Sequence, residues 1–177
     1  MTSGVSCTKE TPGSSSGSSN DAATTDALAP SGEGGPSLDA SAESGVFAFD
    51  FSITLGGKKV PFDRGQFGTE GQGLYLELYD GGDPACPSQN SPTPKHTLIV
   101  SGLEKSGTSK PTVTLLDFIG DVITTPKPSR TASASTATMH VSTDARIELD
   151  LSVTFDADGG GQGPVVGTHC TSLDGQK

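Results

Sequence analysis

The chain has no tryptophan, two tyrosines and three cysteines among 177 residues, and no apolar run of 18 residues or more. Nothing in the sequence is therefore long and apolar enough for a membrane-spanning helix, which needs about 20 such residues. No basic segment followed by an apolar stretch stands ahead of Cys7, so an export leader is not visible in the residues given. Positive charge is also scarce, with 11 Lys and Arg against 21 Asp and Glu. The deficit is spread evenly: residues 1–45 carry one lysine against six acids, and 46–177 carry ten basic residues against fifteen. Nucleic-acid affinity rests on Lys and Arg displacing condensed counterions, so the absence of any basic stripe excludes nucleic acid as a partner.

Catalytic signatures are equally thin. "SGTSK" (106–110) reads S-x-x-x-K and misses the spacing of a serine–lysine nucleophile. The abundant serines lie in the first 45 residues, where no preorganised base or oxyanion site is expected. Glu148 and Asp150 fall on the polar side of an alternating segment, the ordinary place for solvated acids. No catalysis and no cofactor are expected.

What the chain does have is glycine and proline, 24 and 12 residues, together with several stretches of alternating hydrophobicity. From Thr8 to Gly45 the residues are mostly Ser, Gly, Ala, Thr, Asp, Glu and Pro, with Leu28 and Leu38 the only large apolar side chains. Such a segment cannot offset its ordering entropy by burial, so residues 1–45 are expected to be a disordered tether.

At Val46 the pattern changes to "VFAFDFSITL", apolar at every second position, the signature of a half-buried strand. "GGKK" (56–59) signals a turn, and "KVPFDR" is expected to pair back as an edge strand, where Pro61 is tolerated. "GLYLELY" (73–79) puts Leu74, Leu76 and Leu78 on one face and Tyr75, Glu77 and Tyr79 on the other. Four prolines make 80–95 a loop, and "HTLIVSGL" (96–103) and "PTVTLLDFIGDVI" (111–123) read as central strands. "STATMHVST" (135–143), with Ala137, Met139 and Val141 inward, and "ARIELDLSVTFDAD" continue the series. The latter matches the alternating template at Ile147, Leu149, Leu151, Val153 and Phe155. "DGGGQGP" then reads as a connection before a last strand over 165–171.

Seven or eight strands separated by turns over 46–177 point to an all-β domain. The expected form is an antiparallel β-sandwich of immunoglobulin-like or jelly-roll-like type, with a small β-barrel as the alternative. Parallel βαβ architecture is excluded, because no amphipathic helix separates any two strands.

Cys86 and Cys170 both sit beside turn residues at strand ends, in "DPACPS" and "GTHCTS". In an exported protein they are the natural disulfide pair, worth roughly 4–5 kcal/mol for a loop of some eighty residues. Two unrelated buried thiols are the alternative. That leaves Cys7, which heads the Ser/Gly/Thr/Asp-rich stretch and follows Val5 and Ser6. "GVSC" with its tether resembles the mature amino terminus of bacterial lipoproteins. The resemblance covers residues 4–45 and implies a diacylglyceryl group on the Cys7 thiol, a membrane partner through that lipid, and a location at the cell envelope. Two or three acyl chains anchor stably where one does not. An exposed accidental thiol is the plain alternative.

Three weaker constellations remain. "DADGGG" places Asp156, Asp158 and Gly161 at the first, third and sixth positions of a calcium loop, but Gly160 and Gly167 occupy the fifth and twelfth. A glycine-rich strand connection is the preferred reading, and no metal is expected. Asp80 and Asp83 cannot complete that site if the disulfide draws their loop to the other end of the sheet. His96, His140 and His169 show no ligand spacing and are expected on surfaces or edge strands. Tyr75 and Tyr79, with Glu77 between them, are the best candidate surface for a glycan or protein partner. They equally suit two tyrosines that cover a second layer or face water.

The sequence thus supports a lipid-anchored envelope protein, or a secreted one, that binds or builds rather than catalyses. A soluble glycan- or protein-binding module is the first alternative, and a hydrolase with an unrecognised site the second.

Overall fold

The computed structural model describes residues 47–124 and 126–176. The expected tether of residues 1–45, and with it Cys7, lies outside the described residues. Eleven strands and two three-residue 3-10 turns make up the described elements, so the all-β expectation holds.

The strand expected from Val46 begins at β1 (Phe51–Leu55), and Phe49 ahead of it packs on the core from outside the ladder. β1 pairs with β2 (Lys58–Phe62), Leu55 opposite Lys58. The two residues between them, Gly56 and Gly57, have φ of 57° and 79°. Left-handed backbone at both central positions is the hairpin turn that matches strand twist, and it requires residues such as glycine. β2 pairs with β1 alone, so Pro61 stands on an edge, where its missing N–H breaks no second ladder.

Strands β4 (Gly73–Asp80), β5 (His96–Leu103) and β7 (Thr112–Asp117) are antiparallel neighbours. Their alternation buries Leu74, Leu76 and Leu78, Leu98 and Val100, and Val113 and Leu115. β9 (Ala134–Ser142), β10 (Arg146–Thr154) and β11 (Gly159–His169) form the other main run, with Ile147, Leu149, Leu151 and Val153 inward. Within β9 only Ala137 of the expected inward trio is buried. The ladder shifts by one residue there, with Glu148 opposite Val141 and Leu149 opposite Met139. His140 is the extra residue of that bulge, which turns the strand's last third out of phase.

All these side chains belong to one core, which also takes Phe51, Ile53, Phe67 and Phe155. Truncating a fully enclosed leucine such as Leu76 to alanine costs about 2–5 kcal/mol at a site of this kind.

The strands run in the order β6-β9-β10-β11-β3-β4-β5-β7-β8, where β6 is Gly107–Ser109, β3 is Arg64–Glu70 and β8 is Ser129–Thr131. The ladder is continuous around the core, so no break in hydrogen bonding delimits two layers. Both ends of the path are strands of three residues, and the further edge off the path, β2, carries Pro61.

Four expectations need correction. β3 falls where no strand was expected, because Gly65 and Gly68 interrupt its apolar pattern; a Cβ at Gly65 would lie 2.5 Å from the Val166 carbonyl oxygen. The stretch 118–123 is a loop rather than the continuation of β7, because the Asp117 carboxylate gathers its backbone N–H groups. "GGGQG" belongs to β11 rather than to a connection: β1 and the chain before it cross so closely that a Cβ on Gly161 would meet the Ser52 carbonyl oxygen at 2.2 Å, and one on Gly163 the Asp50 carbonyl oxygen at 2.4 Å. Finally, one pair is parallel. β11 ladders with β1 at Gly159 and Gly160, stays beside that segment as far as Pro164, whose carbonyl accepts from the Asp50 N–H at 3.1 Å, and over Gly167–His169 pairs in parallel with Gly65–Phe67 of β3.

Candidate functional site

Alternation along β4 sends Tyr75, Glu77 and Tyr79 to the face opposite the leucine core. That face is covered rather than open. The sulfurs of Cys86 and Cys170 are bonded, their Cα atoms 5.4 Å apart across a sequence separation of 84. Cys86 is exposed in the 80–95 loop, whereas Cys170, at the end of β11, is 0% exposed. The same loop is tied to β3 by hydrogen bonds: Gln66 Nε2 donates to the Ala85 carbonyl at 2.9 Å, and Arg64 Nη2 to the Gly81 carbonyl at 2.7 Å. Asp83 holds the loop's own shape, accepting from the Ala85 N–H and the Ser91 hydroxyl.

On the neighbouring part of β3 lies the C-terminal segment, with the 3-10 turn Thr171–Leu173. A Cβ on Gly68 would collide with the Leu173 carbonyl at 2.4 Å. Asp174 Oδ1 accepts from the Thr69 N–H at 2.8 Å, the Thr69 hydroxyl at 3.0 Å and His169 Nε2 at 3.2 Å. The Thr69 backbone N–H, then the His169 and Thr69 side chains, hold the Asp174 carboxyl below its ordinary range.

Glu77 sits between the two covers. Its Oε1 accepts from the Tyr75 hydroxyl at 2.6 Å, and its Oε2 accepts from the Tyr79 hydroxyl. Burial first, and then the hydrogen bond to Glu77, push both phenols well above their ordinary value. Tyr79 is only 5% exposed, and the Arg64 guanidinium lies 4.9 Å from its ring centroid. Tyr79 therefore offers little surface on which a sugar ring could stack, and Tyr75 and Tyr79 are both tied to Glu77. What remains reachable is the cleft above Glu77, walled by Pro87, Ser88 and Gln89 on one side and by Ser172, Leu173 and Gln176 on the other. Its groups are a carboxylate, hydroxyls and carboxamides, which suit hydrogen-bonded recognition of a polar ligand.

A second cluster was not anticipated. The inward positions of β4, β5 and β7 continue past the leucines to polar residues at one end of the core: Asp80 after Leu78, His96 before Leu98, and Asp117 after Leu115. The register sets them side by side, Asp80 opposite His96 and His96 opposite Asp117. His96 is 3% exposed, which overturns the expected surface or edge role. Its Nδ1 lies 2.8 Å from Asp80 Oδ2, and its Nε2 lies 2.8 Å from Asp121 Oδ1 and 3.6 Å from Asp117 Oδ1.

Asp117 explains why β7 stops. Its carboxylate accepts four backbone N–H groups, from Ile119 and Gly120 on Oδ1 and from Val122 and Ile123 on Oδ2. Those bonds wind 118–123 into a tight loop that returns Asp121 to His96. Burial raises the Asp117 carboxyl, but the N–H groups of Ile123, Val122 and Gly120 outweigh it and hold the group below its ordinary range. Among the described residues, His96, Asp117 and Asp121 bring three potential metal-ligating atoms within 4.8 Å of one another.

The other histidines are not gathered there. His140 Nε2 pairs with Asp150 at 2.8 Å and His169 with Asp174, each at its own place on the sheet. At the weak calcium candidate, the Arg130 guanidinium bonds Asp158 and lies 3.9 Å from Asp156, so a cation of the chain itself stands beside those acids.

No family model, curated protein or solved structure matches the chain. No helix among the described residues is long and apolar enough to cross a membrane.

Proposed function

We propose that this chain is an exported cell-envelope protein, held to a membrane by lipid on Cys7, whose β domain binds a partner rather than catalysing a reaction. The observation that carries this reading is the Cys86–Cys170 bond, which fastens the 80–95 loop over an outer sheet face. Bonds that close long loops persist in oxidising compartments, outside the reducing cytosol. The lipobox-like "GVSC" and the polar stretch behind it supply the anchor and the spacer. The sheet is read as a sandwich closed along one side, its halves packed through the shared core.

Mass analysis of protein from the membranes of its native cells tests the reading. Acylated Cys7 together with a Cys86–Cys170 cystine supports it; free thiols at both positions, or unmodified Cys7 in the soluble fraction, overturn it.

A second reading, a soluble secreted module for a glycan or protein, is favoured by the polar walls above Glu77. A glycan array with the intact domain and with Gln89→Ala separates the two. Ligand capture lost on substitution, in protein carrying no lipid, would favour this second reading.

A further inference from the structure

We propose that His96, Asp117 and Asp121 form a binding site for zinc or a closely similar divalent transition ion, with Asp80 as the support that orients the histidine. This site is independent of the envelope reading.

Around a tetrahedral zinc with ligands at 2.0–2.1 Å, neighbouring ligand atoms lie about 3.3 Å apart. His96 Nε2 lies 2.8 Å from Asp121 Oδ1 and 3.6 Å from Asp117 Oδ1, on either side of that spacing. The contact that must open is the one to Asp121, whose side chain is 46% exposed and sits in a loop. The contact that must stay is the one to Asp117, whose side chain is 0% exposed and fixed by four N–H groups. Ligating carboxylates are themselves hydrogen-bonded, and for Oδ1 to take an ion the longer of its two N–H contacts, from Ile119 at 3.2 Å, must yield.

The tautomer follows from Asp80. A proton on Nδ1, donated to Asp80 Oδ2 at 2.8 Å, leaves the Nε2 lone pair pointing at Asp117 and Asp121. Carboxylate–histidine–metal relays use this orientation to fix the ring and raise its basicity. A lone pair against two carboxylate oxygens is repulsive unless a cation stands among them. One proton on Nε2 relieves part of that repulsion, yet three carboxylates converge on a single imidazole. The Lys58 ammonium at the rim donates to the Asp121 carbonyl oxygen.

The donor set selects the ion. One imidazole nitrogen with carboxylate oxygens suits zinc and its neighbours, whereas calcium and magnesium take oxygen ligands alone. Three protein ligands would leave a fourth position for water.

Chelator-treated full-length protein is titrated with Zn2+ by calorimetry and with Co2+ by visible absorption. One equivalent of Zn2+ should bind, and Co2+ should give the intense bands of four-coordinate geometry. Asp121→Asn should weaken binding at least tenfold, and Asp80→Asn about 10–100-fold. In the unsubstituted protein, Co2+ should shift the ring protons of His96 in the NMR spectrum, which holds whether or not any variant folds. No Zn2+ binding at millimolar concentration overturns the proposal. So does full affinity in Asp121→Asn, or a paramagnetic shift confined to His140 or His169, which would place the ion at an exposed His–Asp pair.

Discussion

Breaking the Cys86–Cys170 bond is the perturbation whose size follows most directly from the structure. The bond closes a separation of 84 residues. In the chain-entropy form such a closure restricts the unfolded chain by about 4.5 kcal/mol at 25 °C. For a domain of this size each kcal/mol moves Tm by roughly 3–4 °C, so the loss should be about 15 °C. Cys86→Ser is the variant of choice, since Cys86 is exposed and Cys170 is enclosed. A hydroxyl at 86 meets water, whereas one at 170 would be buried. The 80–95 loop keeps its hydrogen bonds from Gln66 and Arg64, so the variant should melt as a folded domain, only earlier. The assay is a thermal melt followed by circular dichroism, on the oxidised protein, the same protein with reductant, and Cys86→Ser. The last two should coincide. Equal Tm for oxidised and reduced protein would refute the account of the loop as a chain-restricting closure. A serine variant far below the reduced protein would assign the loss to the substitution instead.

Three further outcomes are expected. The chain has only two tyrosines, both raised by burial and by Glu77, so absorbance at 295 nm should show no tyrosinate through the ordinary phenol range near 10. Because the folded value is the higher one, this contribution to stability is full below that range and is lost as pH rises; two independent titrations near 10 in folded protein would refute the Glu77 clamp. Asp174 is lowered, so its hold on Thr69 is present above the ordinary carboxylate value and lost as pH falls through its own; the Thr69 amide shift in NMR should titrate below the usual range, and Asp174→Asn should abolish that step. Gly161→Ala places a methyl 2.2 Å from the Ser52 carbonyl oxygen and should destabilise by about 3 kcal/mol, read by denaturant unfolding; a change under half of that would mean β1 does not cross β11 so tightly.

Strand identity was legible wherever the alternation was uninterrupted. β5 falls at 96–103 as read, and β10 buries every second residue from Ile147 to Val153, with Phe155 continuing the pattern just past its end. The disulfide partners and the Pro61 edge could be read too, because turn residues and a missing N–H act locally. The polar cluster leaves a trace in the sequence: Asp80, His96 and Asp117 each occupy the next inward position of a leucine-bearing strand. Three polar residues in phase with a core pattern mark a buried site at the core's end, once the strands are known to be neighbours.

Period-two patterning belongs to a single segment and needs no knowledge of its neighbours, which is why the chain's order alone fixed the all-β class and the direction each leucine points. Neighbour choice is different in kind. That β11 trades β1 for a parallel β3, that Gly161 sits under a crossing backbone, and that four amides fold the 118–123 loop onto Asp117 all depend on segments far apart in the chain or on a bend no periodicity encodes. Glycine reads as a turn in one dimension and as close packing in three. The same holds for the tyrosines: alternation turns Tyr79 away from the core, but a loop drawn across by Cys170 decides that it meets protein instead of water.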